Sequence, residues 1–304
     1  MLTVEEALDL TLIEEGQYLL GEDFITQTLG LTLDMIYKVF LKSIKEYARR
    51  KPIVETKSIH GGHNGTFIMP EGTLAVRAIR YDVLDEYPRT MFPEFGQRKY
   101  EYDRHSRTLK TFPPMSSLRV TYSREYVISN SAPIDTTEYT VDYENELLVK
   151  LNARPKKGTI TVERNGKTMK EIGKEVVDVD RGNGIHVPVE RIKLEGPLGC
   201  GYYDTETREV NVFFDEGETG DLVISCIPHY GVAPELDSGE YVYMKLFKAY
   251  ILEAVAALRS QATQTDLHNI DLSSDDLYGR ARLLKAQVEL ALRNSIDFSA
   301  MAPI

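Results

Sequence analysis

Residues 102–109 read YDRHSRTL, and residues 203–210 read YDTETREV. In both stretches a Tyr-Asp pair is followed by a polar turn, an arginine and an alternating segment, which contains Leu109 in the first copy and Val210 in the second. Side chains that alternate with a period of two send one face of a strand inward, so this pattern is typical of a β-hairpin. We predict that both stretches form the same hairpin.

A looser third copy begins at Asp142-Tyr143 and reaches Leu148 at the same spacing from the aspartate. A second alternating segment follows each of the three copies, at 118–122, 160–162 and 222–226. We expect Tyr102, Tyr143 and Tyr203 to occupy equivalent strand ends in related hairpins. Structural proteins often repeat a hairpin to build a sheet, whereas enzymes seldom repeat their chemistry three times in so short a stretch. The repeat therefore favours a scaffold.

Apolar and polar residues alternate with a period of two in segments throughout residues 53–234. The dipeptides Asn165-Gly166 and Asn183-Gly184 are the strongest turn signals between strands, because asparagine and glycine both accept the positive φ of a two-residue hairpin turn. A long loop with three proline or glycine interruptions is predicted at 85–97. The candidate strands are 53–59, 66–69, 74–81, 99–103, 108–112, 118–122, 138–143, 147–151, 159–163, 175–179, 185–188, 208–214 and 222–227.

Both ends of the chain are predicted to be helical. Residues 4–17 carry mixed helical periodicity, and Thr32 caps a strong helix that continues to Lys51 and stops at Pro52. Near the C-terminus, one helix spans 238–260, a polar linker spans 261–272, and a last helix, capped by Ser273 or Ser274, continues to about residue 294. The last helix has an apolar seam that suits packing on another helix, with the preceding helix or a neighbouring subunit as the partner. Its members are Leu277, Ala281, Leu284, Val288 and Ala291.

These patterns predict an α+β fold, in which a central antiparallel β-rich body of repeated hairpins is flanked by N-terminal and C-terminal helices. The predicted domains are a helical segment at 1–52, a β-rich domain at 53–234, and a helical hairpin with an apolar tail at 235–304. The tail after Asp297 keeps Phe298, Met301 and Ile304, which are expected to contact a neighbouring protein because they gain nothing from water.

Composition narrows the functional classes. The formal net charge is −11, which argues against tight binding of nucleic acid. An acidic channel would still let DNA pass without binding it. No run of 18 apolar residues and no signal-peptide pattern at Met1 is present, so no membrane association is expected. Cys200 and Cys226 are the only cysteines, and both are expected to be reduced structural thiols.

The stretch His60-Gly61-Gly62-His63 is the most tempting candidate site. Two histidines three residues apart can bind zinc, and glycines can expose backbone N–H groups to an anion. No third or fourth ligand lies nearby at a recognisable spacing, and the flanking strands account for the segment as the tip of a hairpin.

Four other candidates have simpler structural explanations. Residues 178–184 lack the ligand alternation of a calcium loop, and a hairpin turn explains them better. Residues 196–201 are glycine-rich but lack the lysine of a phosphate loop. Cys200 with His186 or His229 is a possible nucleophilic pair, but cysteine is more often a small buried hydrophobe. A helix C-terminus accounts for the basic run 49–51. We therefore expect no catalytic residue, no metal ion and no cofactor, and we expect that the protein is not an enzyme.

The two ends of the chain resemble the neck proteins of T4-like contractile-tailed phages. The N-terminal resemblance lies in the capped helix LTLDMIY at 31–37 followed by SIKEY at 43–47, which is similar to the family's T-x-D-x-I-Y motif and its following aromatic helix. The C-terminal resemblance lies in YMKLFKAY at 243–250, a polar linker, and LYGRARLLKAQVE at 277–289. The β region departs from the family, and no functional residue can be transferred one by one.

The resemblance implies a homo-oligomeric ring in the virion, assembled in the host cytoplasm around a DNA channel. Its neighbours would be the portal or adaptor, another neck protein, and the tail terminator or sheath, and DNA would pass without specific binding. The alternatives are a baseplate or tail-tube structural protein and, in a different class, a β-rich carbohydrate-active enzyme or carbohydrate-binding module.

Overall fold

The computed structural model describes residues 1–14, 31–60, 63–80, 99–112, 117–139, 146–180, 186–214, 221–261 and 274–299. The chain forms two compact units. The first comprises Met1–Phe40 and Ile128–Ala281, and the second comprises Leu41–Val127 and Arg282–Ile304. The β region predicted as one body therefore contributes strands to both units.

The first unit contains an eight-stranded antiparallel sheet. The order of its strands is β7-β14-β9-β10-β11-β12-β13-β8. Strands from both ends of the sheet contribute side chains to one apolar core, including Ile134 and Val149, so the sheet is rolled around that core. The strands are β7 (Ile134–Tyr139), β8 (Glu146–Lys150), β9 (Thr161–Arg164), β10 (Lys167–Asp180), β11 (His186–Gly196), β12 (Gly199–Asp204), β13 (Glu209–Phe214) and β14 (Asp221–Cys226).

Two helices of the first unit contact each other, α1 (Val4–Glu14) and α3 (Tyr241–Gln261). The aromatic ring of Phe40 meets Tyr243 and Phe247 of α3 edge-on, with ring centroids 6.1 and 5.7 Å away. Phe40 lies on α2 (Leu33–Arg50), whose bounds match the predicted helix within one residue at each end. The apolar residues of this segment recur at the spacing of a helix, which places them on the one side that contacts the aromatic residues of α3.

The second unit contains two three-stranded antiparallel sheets, in the orders β1-β6-β3 and β2-β5-β4. They share a core that includes Phe67, Leu109 and Tyr122. The strands are β1 (Ile53–His60), β2 (Thr66–Ile68), β3 (Thr73–Arg80), β4 (Lys99–Asp103), β5 (Thr108–Phe112) and β6 (Ser117–Arg124). The last helix of the chain is α4 (Ser274–Ser299).

The antiparallel β-rich body flanked by helices is confirmed, and so is the hairpin predicted for two of the three repeats. Tyr102 of β4 pairs with Leu109 of β5, and Tyr203 of β12 pairs with Val210 of β13. The third copy is different, because Leu148 lies on β8, which pairs with β13, while the strand before the turn, β7, pairs with β14. Tyr143 lies outside the described residues.

The segments that follow each repeat do not pair with it, contrary to the simplest interpretation of the pattern. β6 follows β5 but pairs with β1 and β3, and β14 follows β13 but pairs with β7 and β9. Alternation specifies which side of a strand is buried and not which strand lies beside it.

Several element bounds differ from the prediction. β7 begins four residues before the predicted strand, and β10 begins at Lys167 instead of 175. β12 was not predicted, because its glycines interrupt the alternation. On α4, Leu284 is half-buried, Ala291 is exposed, and Leu292 takes the expected buried place. A straight helix has 3.6 residues per turn, so a strict seven-residue seam drifts off the buried side.

Candidate functional site

The two repeated hairpins share one turn geometry. Oδ1 of Asp103 accepts a hydrogen bond from the backbone N–H of His105 at 2.9 Å, and Oδ1 of Asp204 accepts one from Glu206 at 2.9 Å. The arginine that ends each turn has a left-handed backbone, with φ of 55° at Arg107 and 63° at Arg208. Aspartate favours such turns because its carboxylate bonds to the backbone two residues further on.

The two arginines lie in different surroundings. Arg107 is exposed, whereas Arg208 is only 1% exposed and donates to Oδ2 of Asp9 on α1 at 2.6 Å. The ammonium group of Lys150 lies 3.9 Å from the same oxygen. A non-glycine residue in the left-handed conformation is strained. At Arg208 the ion pair of the buried guanidinium offsets this strain.

A fully buried carboxylate lies one turn earlier on α1. Glu5 is 2% exposed, and its Oε1 accepts a hydrogen bond from the backbone N–H of Arg154 at 3.1 Å. Burial raises the pKa of the Glu5 carboxyl above its ordinary value, while the backbone hydrogen bonds and the charges of Arg208 and Arg154 act in the opposite direction. We call Glu5, Asp9, Arg154 and Arg208 the α1 clamp.

The start of the chain is bound to the same region by the backbone. Leu2 exchanges two backbone hydrogen bonds with Ala233, at 3.1 and 2.9 Å. Thr3 accepts the N–H of Glu6 at 3.1 Å, as an N-cap does, and its hydroxyl donates to the carbonyl of Asn152. These contacts and those of the α1 clamp together hold the N-terminal helix in place.

The nucleophilic groups beside the α1 clamp are held in their neutral forms. Burial raises the pKa of the Cys226 thiol to about 12 and also raises the pKa of the Tyr203 hydroxyl. A thiol with so high a pKa is a poor nucleophile at neutral pH, because the thiolate is the reactive form. Cys226 therefore behaves as a buried apolar residue.

His60 is the last residue of β1, and its Nδ1 lies 3.0 Å from the hydroxyl of Ser117 on β6. The predicted hairpin tip at this point is wrong, because β1 and β2 lie in different sheets and pair with β6 and β5, not with each other. Gly61, Gly62 and the His63 side chain lie outside the described residues. In the described part of the chain, no group of three or more His, Cys, Asp or Glu side chains is placed to hold a metal ion.

The glycine-rich stretch is a tight hairpin between β11 and β12. Gly196 pairs with Gly199, and a Cβ atom on Gly196 would lie 2.2 Å from the carbonyl oxygen of Thr168. A Cβ atom on Gly201 would lie 2.4 Å from the carbonyl oxygen of Asn211. Close approach of neighbouring backbones therefore explains these glycines.

Of the two histidines that were possible partners of Cys200, the structure describes the side chain of His229. Both cysteines are free, with Cys226 buried and Cys200 exposed on β12, where its cross-strand neighbours are Glu195 and Phe213. His229 instead packs edge-on against Tyr230, with ring centroids 4.8 Å apart. The side chain of His186 lies outside the described residues.

The basic run 49–51 ends α2, as predicted. Arg50 bonds to Glu46 at 2.9 Å and lies 3.5 Å from Glu289, while the ammonium of Lys51 lies 5.8 Å from the centre of the Tyr47 ring. These arginine and lysine contacts are those of a helix C-terminus.

The hairpin of β10 and β11 is longer than its neighbours. β9 pairs with β10 only at Lys167–Lys170, and the paired part of β12 begins opposite Arg191. Among the described residues, 176–180 and 186–190 therefore pair with each other as two strands, which we call the β-ribbon. Val176 on it is 69% exposed, a large apolar exposure for a residue in regular structure. Residues 181–185, which contain the predicted Asn183-Gly184 turn, lie outside the described residues.

The outer face of the rolled sheet carries two neighbouring aromatic rings. Tyr202 and Phe213 have ring centroids 6.3 Å apart, and the Asn211 side chain donates to Oε1 of Glu146 at 2.6 Å. The guanidinium of Arg191 already covers one face of Tyr202, at 4.1 Å from the ring centre. This stacked arginine leaves Phe213 as the more accessible ring.

The α1 clamp was missed by sequence analysis. Its members are far apart in the chain, and the only signal was the spacing of Glu5 and Asp9, which places both on one side of a helix. No described helix is long and apolar enough to cross a membrane. No protein-family model, no curated protein and no solved structure matches this chain.

Proposed function

We propose that this protein is a virion structural protein, a neck or head–tail connector subunit that forms a ring of identical copies around a DNA channel. The observation that carries the proposal is the β-ribbon, which presents Val176 at the surface on a regular two-stranded element. A two-stranded ribbon is marginally stable alone and has unpaired strand edges, so a neighbouring protein is its natural stabiliser.

A ring requires heterologous contacts, in which two different faces of one subunit complement each other. The β-ribbon supplies one face, because residues 176–180 have no pairing partner on their outer edge among the described residues. On the opposite strand of the ribbon, Pro188 has no N–H to donate. The backbone carbonyl of Glu190 accepts hydrogen bonds from Thr205, so it points away from β10. Backbone groups two residues apart in a strand point the same way, so the backbone nitrogen of Pro188 also points away from β10. Because this nitrogen carries no hydrogen, the outer edge of β11 is a poor partner for another strand.

The acidic character of the chain suits a conduit for DNA. A net charge of −11 repels phosphate and keeps a passing duplex from binding. The neighbours would be the portal or adaptor, a second neck protein, and the tail terminator or sheath. A baseplate or tail-tube role would use the same kind of contacts.

The rival carbohydrate-binding role is favoured by the pair Tyr202 and Phe213 with Asn211 and Glu146 beside them. It is the weaker candidate, since sugar rings stack on open aromatic faces and Arg191 occupies one face of Tyr202.

Electron microscopy of the purified protein tests the proposal. Rings with a central channel are expected, and Val176→Asp should reduce their number because it places a charge in the contact. Ile68→Asp is the matched control, since Ile68 is 73% exposed on β2 and belongs to the other compact unit. Wild-type protein that forms no ring, or a Val176→Asp variant that assembles as the wild type does, would overturn this assignment of the ribbon.

A further inference from the structure

The helix α4 has apolar residues on two opposite sides. Its buried side carries Leu277, Ala281, Val288 and Leu292. The other side carries Leu283 and Leu290, each 61% exposed. Two small exposed residues lie on the same side, Ala286 between the two leucines and Gly279 one turn before Leu283. At about 100° per residue, these four positions fall within a narrow stripe on the side away from the buried residues.

We propose that this stripe is a self-association surface, on which α4 of a second copy of the chain packs in the antiparallel direction. The stripe comprises Gly279, Leu283, Ala286 and Leu290. The spacing of 4, 3 and 4 residues between them is that of a helix-pairing seam. The proposal does not depend on the proposed function.

The sizes of the four side chains complement each other in the antiparallel direction. Leu283 lies opposite Ala286 of the second copy, and Leu290 lies opposite Gly279 of the second copy, so each large residue meets a small one. A Cβ atom on Gly279 would meet nothing within 4 Å in its own chain. Glycine inside a helix costs about 1 kcal/mol relative to alanine. Close approach of a second helix gives this glycine a role that its own chain does not.

The charges beside the stripe select the same direction. Arg282 and Glu289 lie on one flank, seven residues apart, and both are exposed. In an antiparallel pair the same flanks face each other, so Arg282 of each copy meets Glu289 of the other and two ion pairs form. A parallel pair would set Arg282 against Gln287 and Glu289 against Asn294, without opposite charges.

Glu289 remains available for this contact. Its carboxylate lies 3.5 Å from Arg50 of its own chain, but 53% of the side chain is exposed. A carboxylate has two oxygens and can accept from two cations. Arg282 is exposed about two turns earlier on the helix.

The contact is small, so the dimer is expected to be weak. The stripe covers 12 residues, which is roughly 18 Å of helix. That length buries less than a standard protein interface, and a dissociation constant on the order of 10–100 µM is expected. The contact is two-fold symmetric, and it therefore differs from the head-to-tail contact that closes a ring.

Sedimentation of the protein in a Val176→Asp background, which removes the proposed ring contact, tests the charge arrangement at concentrations above that range. R282E and E289R should each lose the dimer, because each places like charges together. An equimolar mixture of the two variants should recover it, since the two reversed charges then face each other and so do the two native ones. L290E should also lose it, while Ile68→Glu should not, although Ile68 on β2 is even more exposed than Leu290, at 73% against 61%. Unchanged association in both charge variants, or no recovery in the mixture, would overturn the proposal.

Disulfide trapping gives a readout that no other assembly contact affects. It uses a Cys200→Ser background, because Cys200 is the exposed cysteine. A G279C/L290C variant should form cross-linked dimers. L290C alone should not, because its two copies lie about 16 Å apart along an antiparallel pair, beyond disulfide reach. Rapid cross-linking of L290C alone would show a parallel pair, and failure of the double variant would show no pair; either result contradicts the proposal. Circular dichroism should be unchanged in all variants, since these side chains are exposed.

Discussion

The two copies of the repeated hairpin provide a matched test of how one turn serves two roles. Arg107 and Arg208 share a left-handed backbone, with φ of 55° and 63°, but only Arg208 is buried and paired with Asp9. Replacing each with glycine relieves the same backbone strain and removes different contacts. The effects on the free energy of unfolding should therefore have different signs.

For Arg107→Gly, the relief of about 1–2 kcal/mol is opposed by about 0.5–1 kcal/mol of additional chain entropy in the unfolded state. The side chain is exposed, and the hydrogen bond from the N–H of Met69 to the Arg107 carbonyl is retained. We expect a variant that is as stable as the wild type or up to about 1 kcal/mol more stable.

For Arg208→Gly, the same relief is outweighed. Breaking a buried ion pair costs about 3–5 kcal/mol. The cost is smaller here because Asp9 is 31% exposed and can be rehydrated. We expect a net loss of about 2 kcal/mol, which lowers the melting temperature of a unit of this size by roughly 5 °C.

Hydrogen exchange measured by mass spectrometry locates the effect. Amides of α1 should exchange faster in Arg208→Gly, because Asp9 is the contact through which the guanidinium holds this helix. Exchange in Arg107→Gly should match the wild type throughout α1. Equal stability of the two variants, or unchanged exchange of α1 in Arg208→Gly, would refute the reasoning.

Further changes test the backbone packing and two carboxylates, the buried Glu5 and the half-buried Glu55. Gly196→Ala should cost at least about 2 kcal/mol in urea unfolding, because its Cβ would meet a carbonyl oxygen at 2.2 Å, whereas Gly173→Ala has open space and should change stability by less than about 0.5 kcal/mol. Since burial raises the pKa of Glu5, the folded chain binds a proton at higher pH than the unfolded chain, so lowering the pH from 7 towards 4 should stabilise the wild type relative to Glu5→Gln. Glu55 should show the opposite trend against Glu55→Gln, because hydrogen bonds from Arg124 and Tyr122 lower its pKa and its contribution is lost as the pH falls through that lowered value. Unfolding curves at several pH values check both signs, and parallel trends for the two glutamates would contradict the assignment.

Local features of the fold were predictable because they depend on adjacent residues. Asn165-Gly166 forms the turn between β9 and β10, with φ of 52° and 77°, as its turn chemistry requires. The Tyr-Asp turns and their terminal arginines were recognisable for the same reason. The amphipathic stripe and the threonine cap predicted α2 closely.

Long-range pairing was not predictable from alternation. β8 lies at one end of the rolled sheet beside β13, and β6 joins β1 and β3, although neither arrangement follows from the order of strands. The boundary between the units at Val127 and Ile128 was also missed, because no change of composition accompanies it. Strand partners are chosen by the three-dimensional core, so one sequence supplies only the buried side of each strand.

The α1 clamp illustrates the same limit for function. Asp9 and Arg208 are 199 residues apart, and each alone resembles a solvated charge. Their contact becomes visible only in the folded chain, where the turn of the second hairpin, which contains Arg208, lies against α1. The exposed stripe of α4 was also missed. The predicted seam was complete without Leu283 and Leu290, so the sequence pattern did not draw attention to them.

The central claim is that this chain forms a ring, and native mass spectrometry of the purified protein tests it most directly. We expect a closed oligomer of many identical copies at concentrations of roughly 10–100 µM, in the range where subunit contacts of ordinary strength are occupied. Loss of that oligomer in Val176→Asp and its retention in L290E would assign it to the β-ribbon instead of α4. A wild-type protein that is only a monomer or a dimer across this range would contradict the account.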